Sequence, residues 1–188
     1  MSKVKLATVW LCGCSGCHMS FLDLDEKILE LIEYEDRFTD VNHVELVASP
    51  VMDVKDVPEC DVLIVEGGVA NDEQERLISE LRNRCKCLIS LGDCAGFGTV
   101  PMLRNLFTLN DVLKRAYEDT ESTEVGAVMG ESKELPKLRD KFVPIRELVK
   151  VDVHVPGCPP SADTIYYVLK ELLAGRIPKL EGQFLRYD

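Results

Sequence analysis

The chain has 188 residues and a mass of 21.1 kDa, the size of one ordinary domain. Apolar residues make up 46% of it, enough for a core and too many for a disordered tail. Asp and Glu outnumber Lys and Arg by 33 to 22, and the resulting net charge of −11 repels phosphate backbones and argues against nucleic-acid binding.

Lys3–Leu11 reads as a strand, closed by the glycine- and cysteine-rich turn Cys12–Cys17. Phe21, Leu22, Leu24, Ile28, Leu29, Leu31 and Ile32 then recur at helical spacing up to about Glu35. Val44–Ala48 is a second strand. Asp61–Glu66 is the clearest buried one, followed by Gly67-Gly68. Asn71 is placed to cap the next helix, with Gln74 as its capping-box partner. Cys87–Leu91 is a strand that runs into Gly92-Asp-Cys94-Ala-Gly-Phe-Gly98. A helix is predicted over Leu109–Tyr117, and weak helical hints lie around Leu135–Phe142. Val151–Val155 is the last strand and ends at Pro156-Gly-Cys158-Pro-Pro160. A helix follows from Ser161 or Ala162, with Gly175 as its stop. The five strand candidates alternate with helices. That pattern predicts a single α/β domain over 1–188, with a short tail from 175: a flavodoxin-like, open, mostly parallel sheet with helices on both faces.

The acids concentrate in residues 18–45 (nine acids, two bases) and 117–135 (six acids, one base), as solvated surfaces or as faces for a basic partner. No apolar run approaches the roughly 20 residues of a membrane span. The N-terminus leads into a strand without an apolar signal region, so the cytoplasm is the expected compartment.

Eight cysteines are many for a chain in a reducing compartment, where disulfides are rare and clustered thiols point to metal or redox work. Their positions carry the information. Cys14 and Cys17 follow the first strand, Cys94 follows the Cys87–Leu91 strand, and Cys158 follows the last strand. In a parallel sheet those three loops leave the same edge, where such folds place their functional sites. Four converging thiols suit tetrahedral zinc or a [4Fe–4S] cluster. The neighbouring glycines favour the cluster, because they let backbone approach a bulky core. Cys12 competes with Cys14 as a ligand. Cys60, Cys85 and Cys87 fall at strand starts, on the opposite edge, and read as small buried hydrophobes. His18 follows Cys17 and is placed for a second-sphere hydrogen bond or a partner contact. Glu66, Asp93 and Ser20 stand near strand ends or the first helix without an assignable acid–base role, and His43 and His154 have no evident ligand role. There is no dinucleotide GxGxxG after the first strand and no phosphate-loop lysine, so an NAD site on this chain is unsupported.

Three blocks in this order, Cys14-Ser-Gly-Cys17-His-Met-Ser-Phe-Leu-Asp-Leu-Asp25, Gly92-Asp-Cys94-Ala-Gly-Phe-Gly98 and Pro156-Gly-Cys158-Pro-Pro160, resemble the small subunits of nickel–iron hydrogenases. The likeness covers essentially the whole chain and is nearest to the cytoplasmic bidirectional, NAD(P)-linked type. It implies that Cys14, Cys17, Cys94 and Cys158 hold one proximal [4Fe–4S] cluster. It also implies a large subunit carrying the Ni–Fe centre, where H2 is cleaved, and a diaphorase module with further clusters and flavin that reduces NAD+. Catalytic side chains are not expected on this chain. An FMN beside Gly67-Gly68 is a further implication of that type. Two departures stand out. No cysteine follows Cys158, so medial and distal clusters are not expected, and Gly13 stands where many relatives carry a glutamate. Rival readings are another cytoplasmic hydrogenase with a different acceptor, the cluster subunit of respiratory quinone reductases (whose usual pattern has adjacent cysteines), a zinc-stabilised binding module, and a free flavodoxin-like carrier. A partner-facing apolar surface is expected from Met19, Phe21, Phe97, Val100, Pro101, Met102 and Leu103.

Overall fold

The computed structural model describes residues 3–31, 44–54, 56–124, 126 and 132–185. Five strands form the main sheet: β1 (Val4–Trp10), β2 (Val44–Ala48), β3 (Cys60–Glu66), β5 (Cys85–Leu91) and β7 (Val153–Val155). All pairings are parallel, in the order β2-β1-β3-β5-β7. Counted within this sheet the order is the flavodoxin-like one, and the sequence expectation holds. A second, two-stranded antiparallel sheet joins β4 (Val69–Asn71) to β6 (Leu138–Val143).

Side-chain alternation splits the core into two layers. Leu6, Val62, Ile64, Ile89 and Leu91 face one side. There they meet α1 (Gly16–Leu22), α2 (Glu26–Leu31) and α7 (Ala162–Leu173) through Phe21, Leu31, Ile165, Val168 and Leu169. Ala7, Val9, Leu63, Val65 and Leu88 face the other side, against Ile78 and Leu81 of α3 (Asp72–Arg84) and Ala95 of α4 (Asp93–Phe97). Near-continuous apolar strands are what a sheet covered on both faces requires.

Local signals set several boundaries. Asn71 Oδ1 accepts the Gln74 N–H at 2.8 Å, while Gln74 Oε1 accepts the Ala70 N–H at 2.9 Å, so the cap is reciprocal but reaches one residue further back than a capping box. Ser161 caps α7, and its Oγ accepts the Thr164 N–H at 3.3 Å. The helix α6 (Leu109–Tyr117) has the predicted limits.

Three expectations change. The first helix is broken: Asp25 takes a positive φ of 49° between α1 and α2. Its expected end near Glu35, and His43, lie outside the described residues. Leu138–Val143 is a strand where helical hints were read. Phe21, expected on the partner surface, is 8% exposed and belongs to the core. Among the described residues no helix is long and apolar enough to cross a membrane.

Candidate metal centre

The loops after β1, β5 and β7 leave the same edge of the sheet, and each carries expected thiols. Cys14 lies in the turn after β1 and Cys17 in the first turn of α1. Cys94 lies in the first turn of α4, and Cys158 in the loop after β7. Cys17 is the inner member, 7% exposed, while Cys14 and Cys158 are exposed and Cys94 is intermediate. Burial raises the Cys17 thiol well above its ordinary range, and the charges of Glu66, Cys94, Cys14 and Cys158 raise it further. Burial also raises Cys94, a hydrogen bond with Thr99 opposes it, and Cys158, Cys14 and Glu66 add to it. Cys14, Cys94 and Cys158, from three loops, therefore all lie within electrostatic reach of Cys17. Burial favours the protonated form of Cys17 and Cys94, whereas positive iron would favour their thiolates.

The backbone is shaped around them. A Cβ on Gly92, where φ is +81°, would stand 2.2 Å from Cys17 Sγ, so only glycine lets this loop pass. The Gly16 N–H points at Cys14 Sγ at 3.4 Å. Cys94 Sγ and Thr99 Oγ1 are 3.5 Å apart. Two loops are locked to each other: the Gly157 N–H donates to Asp93 Oδ1 at 2.7 Å, and the Asp93 N–H donates to the Gly157 carbonyl at 3.0 Å. Ser20 Oγ donates to the Pro160 carbonyl at 2.5 Å and ties α1 to the Cys158 loop.

Glu66, 2% exposed at the end of β3, organises the inner side. Its two carboxylate oxygens accept the Cys17 N–H at 3.3 Å and the His18 N–H at 2.8 Å, and the His18 ring contacts it through Nδ1. Sequence reasoning named Glu66, Asp93, Ser20 and His18 but gave them no such partners, which are 48 to 140 residues away for the side-chain bonds of Glu66 and Ser20. The available signal was an acid closing an otherwise buried apolar strand. Sequence reasoning missed Asn105, whose side-chain amide bonds the Phe142 backbone in β6.

Cys12 lies apart. It forms a backbone bridge with Gly68, burial raises its thiol, and the charge that acts on it is Arg104. Space beside Gly13 is small, since a Cβ there would lie 3.2 Å from Gly67 Cα and 3.7 Å from Glu66 Oε1. The Gly67-Gly68 turn, where the resemblance implied a neighbouring FMN, packs closely on its own chain in the direction of each Cβ. A Cβ on Gly67 would meet the Cys12 backbone at 2.7 Å, and one on Gly68 would meet the Phe142 ring at 2.3 Å. Cys60, Cys85 and Cys87 lie at the opposite edge of the sheet, as expected.

Zinc would draw its ligands to about 2.3 Å from a single point. Among the described residues no three His, Cys, Asp or Glu side chains are placed to hold one ion. A [4Fe–4S] core is wider and takes its thiolates at separate corners, and four thiols brought to one end of the sheet by three glycine-containing loops fit such a group.

The family model for the NADH ubiquinone oxidoreductase, 20 Kd subunit, matches residues 14–172. The delta subunit of the NAD-reducing hydrogenase HoxS of Cupriavidus necator is 41% identical over 189 residues, covering 99% of this chain and 86% of that one. A subunit of the F420-non-reducing hydrogenase of Methanothermobacter marburgensis is 40% identical over 92% of this chain, which spans 54% of that longer protein. Among solved structures, a chain of an NAD+-reducing [NiFe]-hydrogenase in the H2-reduced state superimposes with a TM-score of 0.91 at 38% identity, over 100% of both chains.

Proposed function

We propose, from the premise that this chain belongs to the family of the NADH ubiquinone oxidoreductase 20 Kd subunit and within it to the hydrogenase small subunits, that it is the electron-transfer subunit of a cytoplasmic NAD-reducing nickel–iron hydrogenase. The observation that carries the reading is the meeting of four thiols from three strand-end loops around Cys17. Cys14, Cys17, Cys94 and Cys158 are the residues that would hold one [4Fe–4S] cluster. When bound, that cluster supplies a one-electron carrier.

The protein's own part is positioning. Glu66 holds the Cys17–His18 turn by two backbone N–H groups. Asp93 and Gly157 fix the Cys94 loop against the Cys158 loop. A site held this rigidly reorganises little when its charge changes. Hydrogen cleavage belongs to the large subunit with the Ni–Fe centre, and NAD+ reduction to a diaphorase module with further clusters and flavin. This chain supplies the link between them, so none of its side chains is assigned acid–base work.

The large subunit docks, in this reading, on residues 97–107. Phe97, Val100, Met102, Leu103, Leu106 and Phe107 are exposed there, with Val100 at 67% and Leu106 at 79%. The stretch adjoins Cys94 through Thr99. An exposed apolar patch of this kind marks an interaction surface.

The test is low-temperature EPR of the anaerobically purified complex, poised over a range of potentials, for wild type and Cys158→Ser. Loss of one [4Fe–4S] signal with the other centres intact is expected. An unchanged set of signals removes Cys158 as a ligand and overturns the assignment. Hydrogen-dependent reduction of NAD+ by the wild-type complex tests the acceptor separately.

A further inference from the structure

The other edge of the sheet carries a second group of thiols. Cys60 opens β3 and Cys85 opens β5, and the two are aligned partners in the parallel ladder. Aligned residues on neighbouring strands share a face, and their strands lie about 4.8 Å apart. That is inside the roughly 4.4–6.8 Å of Cα separation that a disulfide spans. Both side chains pack in the same apolar layer, while Cys87 packs in the other.

The surroundings differ between the two sulfurs. Cys60 is buried and Cys85 is partly open. Arg82 Nη1 donates to Cys85 Sγ at 3.2 Å and to the Cys85 carbonyl at 3.0 Å, and Arg82 Nη2 is held by Asp152 at 3.1 Å. A guanidinium hydrogen-bonded to sulfur favours the thiolate, the attacking form.

We propose that Cys85 and Cys60 form a reversible thiol–disulfide site, with Cys85 the attacking sulfur and Cys60 the resolving one. The oxidant is a low-molecular-weight disulfide such as oxidised glutathione. The Cys85 thiolate attacks one sulfur of that disulfide, its S–S bond breaks, and one glutathione thiolate leaves. The Cys60 thiolate then attacks Cys85 Sγ, breaks the mixed disulfide and releases the second glutathione. Two electrons pass from the protein thiols to the glutathione disulfide, and the two thiol protons end on the two glutathiones. Cys85 is the more open sulfur and the one that Arg82 reaches, which sets the order of attack; burial raises both thiols, Cys60 to about 11, while at Cys85 Arg82 opposes burial and Asp152 adds to it. Strands of seven residues at about 3.3 Å each place this site roughly 20 Å from the metal centre, so the two are chemically separate.

The experiment treats the assembled complex anaerobically with oxidised glutathione, alkylates the remaining thiols, and maps the digest by mass spectrometry. A Cys60–Cys85 linked peptide pair, two hydrogens lighter and reversed by dithiothreitol, is expected, with the EPR signals of the complex unchanged. Cys60→Ser is expected to stop at the glutathione adduct on Cys85, and Cys85→Ser to leave Cys60 unmodified. A Cys85–Cys87 link, a stable glutathione adduct on wild-type Cys85, or two unmodified thiols overturns the proposal. So does a Cys60–Cys85 link that forms only as the EPR signals are lost, because it then reports unfolding.

Discussion

Glu66, Gly92 and Asp93 show how little of the candidate metal centre consists of its proposed ligands. Each touches a loop other than its own, and none of them is a thiol. Gly92 gives the sharpest prediction. Alanine there adds a methyl group 2.2 Å from Cys17 Sγ on a backbone with φ +81°. Gly175→Ala provides the control, since φ is +71° there but nothing lies within 4 Å of the added carbon. Both changes put a side chain at positive φ, and at Gly92, with φ 81° and ψ 168°, that backbone alone costs about 1–3 kcal/mol. Only Gly92→Ala is expected to lower the iron and sulfide bound per chain, and equal content in the two variants would show that Cys17 tolerates displacement. The thiols themselves were legible because each follows a strand, and chain direction alone puts them at one edge. Glu66 was legible only as a position, because nothing in Asp-Val-Leu-Ile-Val-Glu announces a backbone N–H of Cys17 as its partner.

Elements with strong internal signals were read closely: β2, α3 and α6 follow from apolar runs, the Asn71 cap and helical periodicity. β6 did not, and its sequence explains why. Leu-Arg-Asp-Lys-Phe-Val has charges where a strand pattern would alternate, and only Phe142 is fully buried. Its order comes from elsewhere in the chain. Asn105 donates through Nδ2 to the Phe142 carbonyl at 2.7 Å and accepts the Phe142 N–H at Oδ1 at 2.7 Å, so one side-chain amide stands in for a neighbouring strand. The Lys141 ammonium donates to the Asn105 carbonyl at 2.6 Å. Asn105→Ala removes both amide bonds and is expected to cost about 1–3 kcal/mol in urea unfolding. Because Asn105 sits inside residues 97–107, the same variant is expected to bind the large subunit more weakly. A stability loss of that size with unchanged subunit affinity would separate the clip from the docking surface.

At the scale of the whole chain, the parallel order of the sheet puts thiols at both ends but gives those ends different surroundings. The end that opens β3 and β5 is ionic: Lys86 pairs with Asp61 at 2.6 Å, Arg84 with Asp56 at 2.6 Å and Arg82 with Asp152 at 3.1 Å. The proposed docking stretch, residues 97–107 at the other end, holds a single charged residue, Arg104, whose Nη2 is turned inward to the carbonyls of Ala70 and Arg139 at 3.4 and 2.9 Å. This contrast has a consequence in ionic strength. Salt screens exposed charges over about 10 Å at 0.1 M, whereas excluded anions such as sulfate strengthen apolar burial. A chain of net charge −11 would ordinarily be expected to hold partners by steering that salt abolishes. Here the association with the large subunit should survive rising sodium chloride and tighten in ammonium sulfate. Leu106→Asp should weaken it at every salt concentration, as read by sedimentation of the complex. Dissociation of the wild type by sodium chloride alone would mean that the subunits meet through their acids, and that this uncharged stretch faces something else.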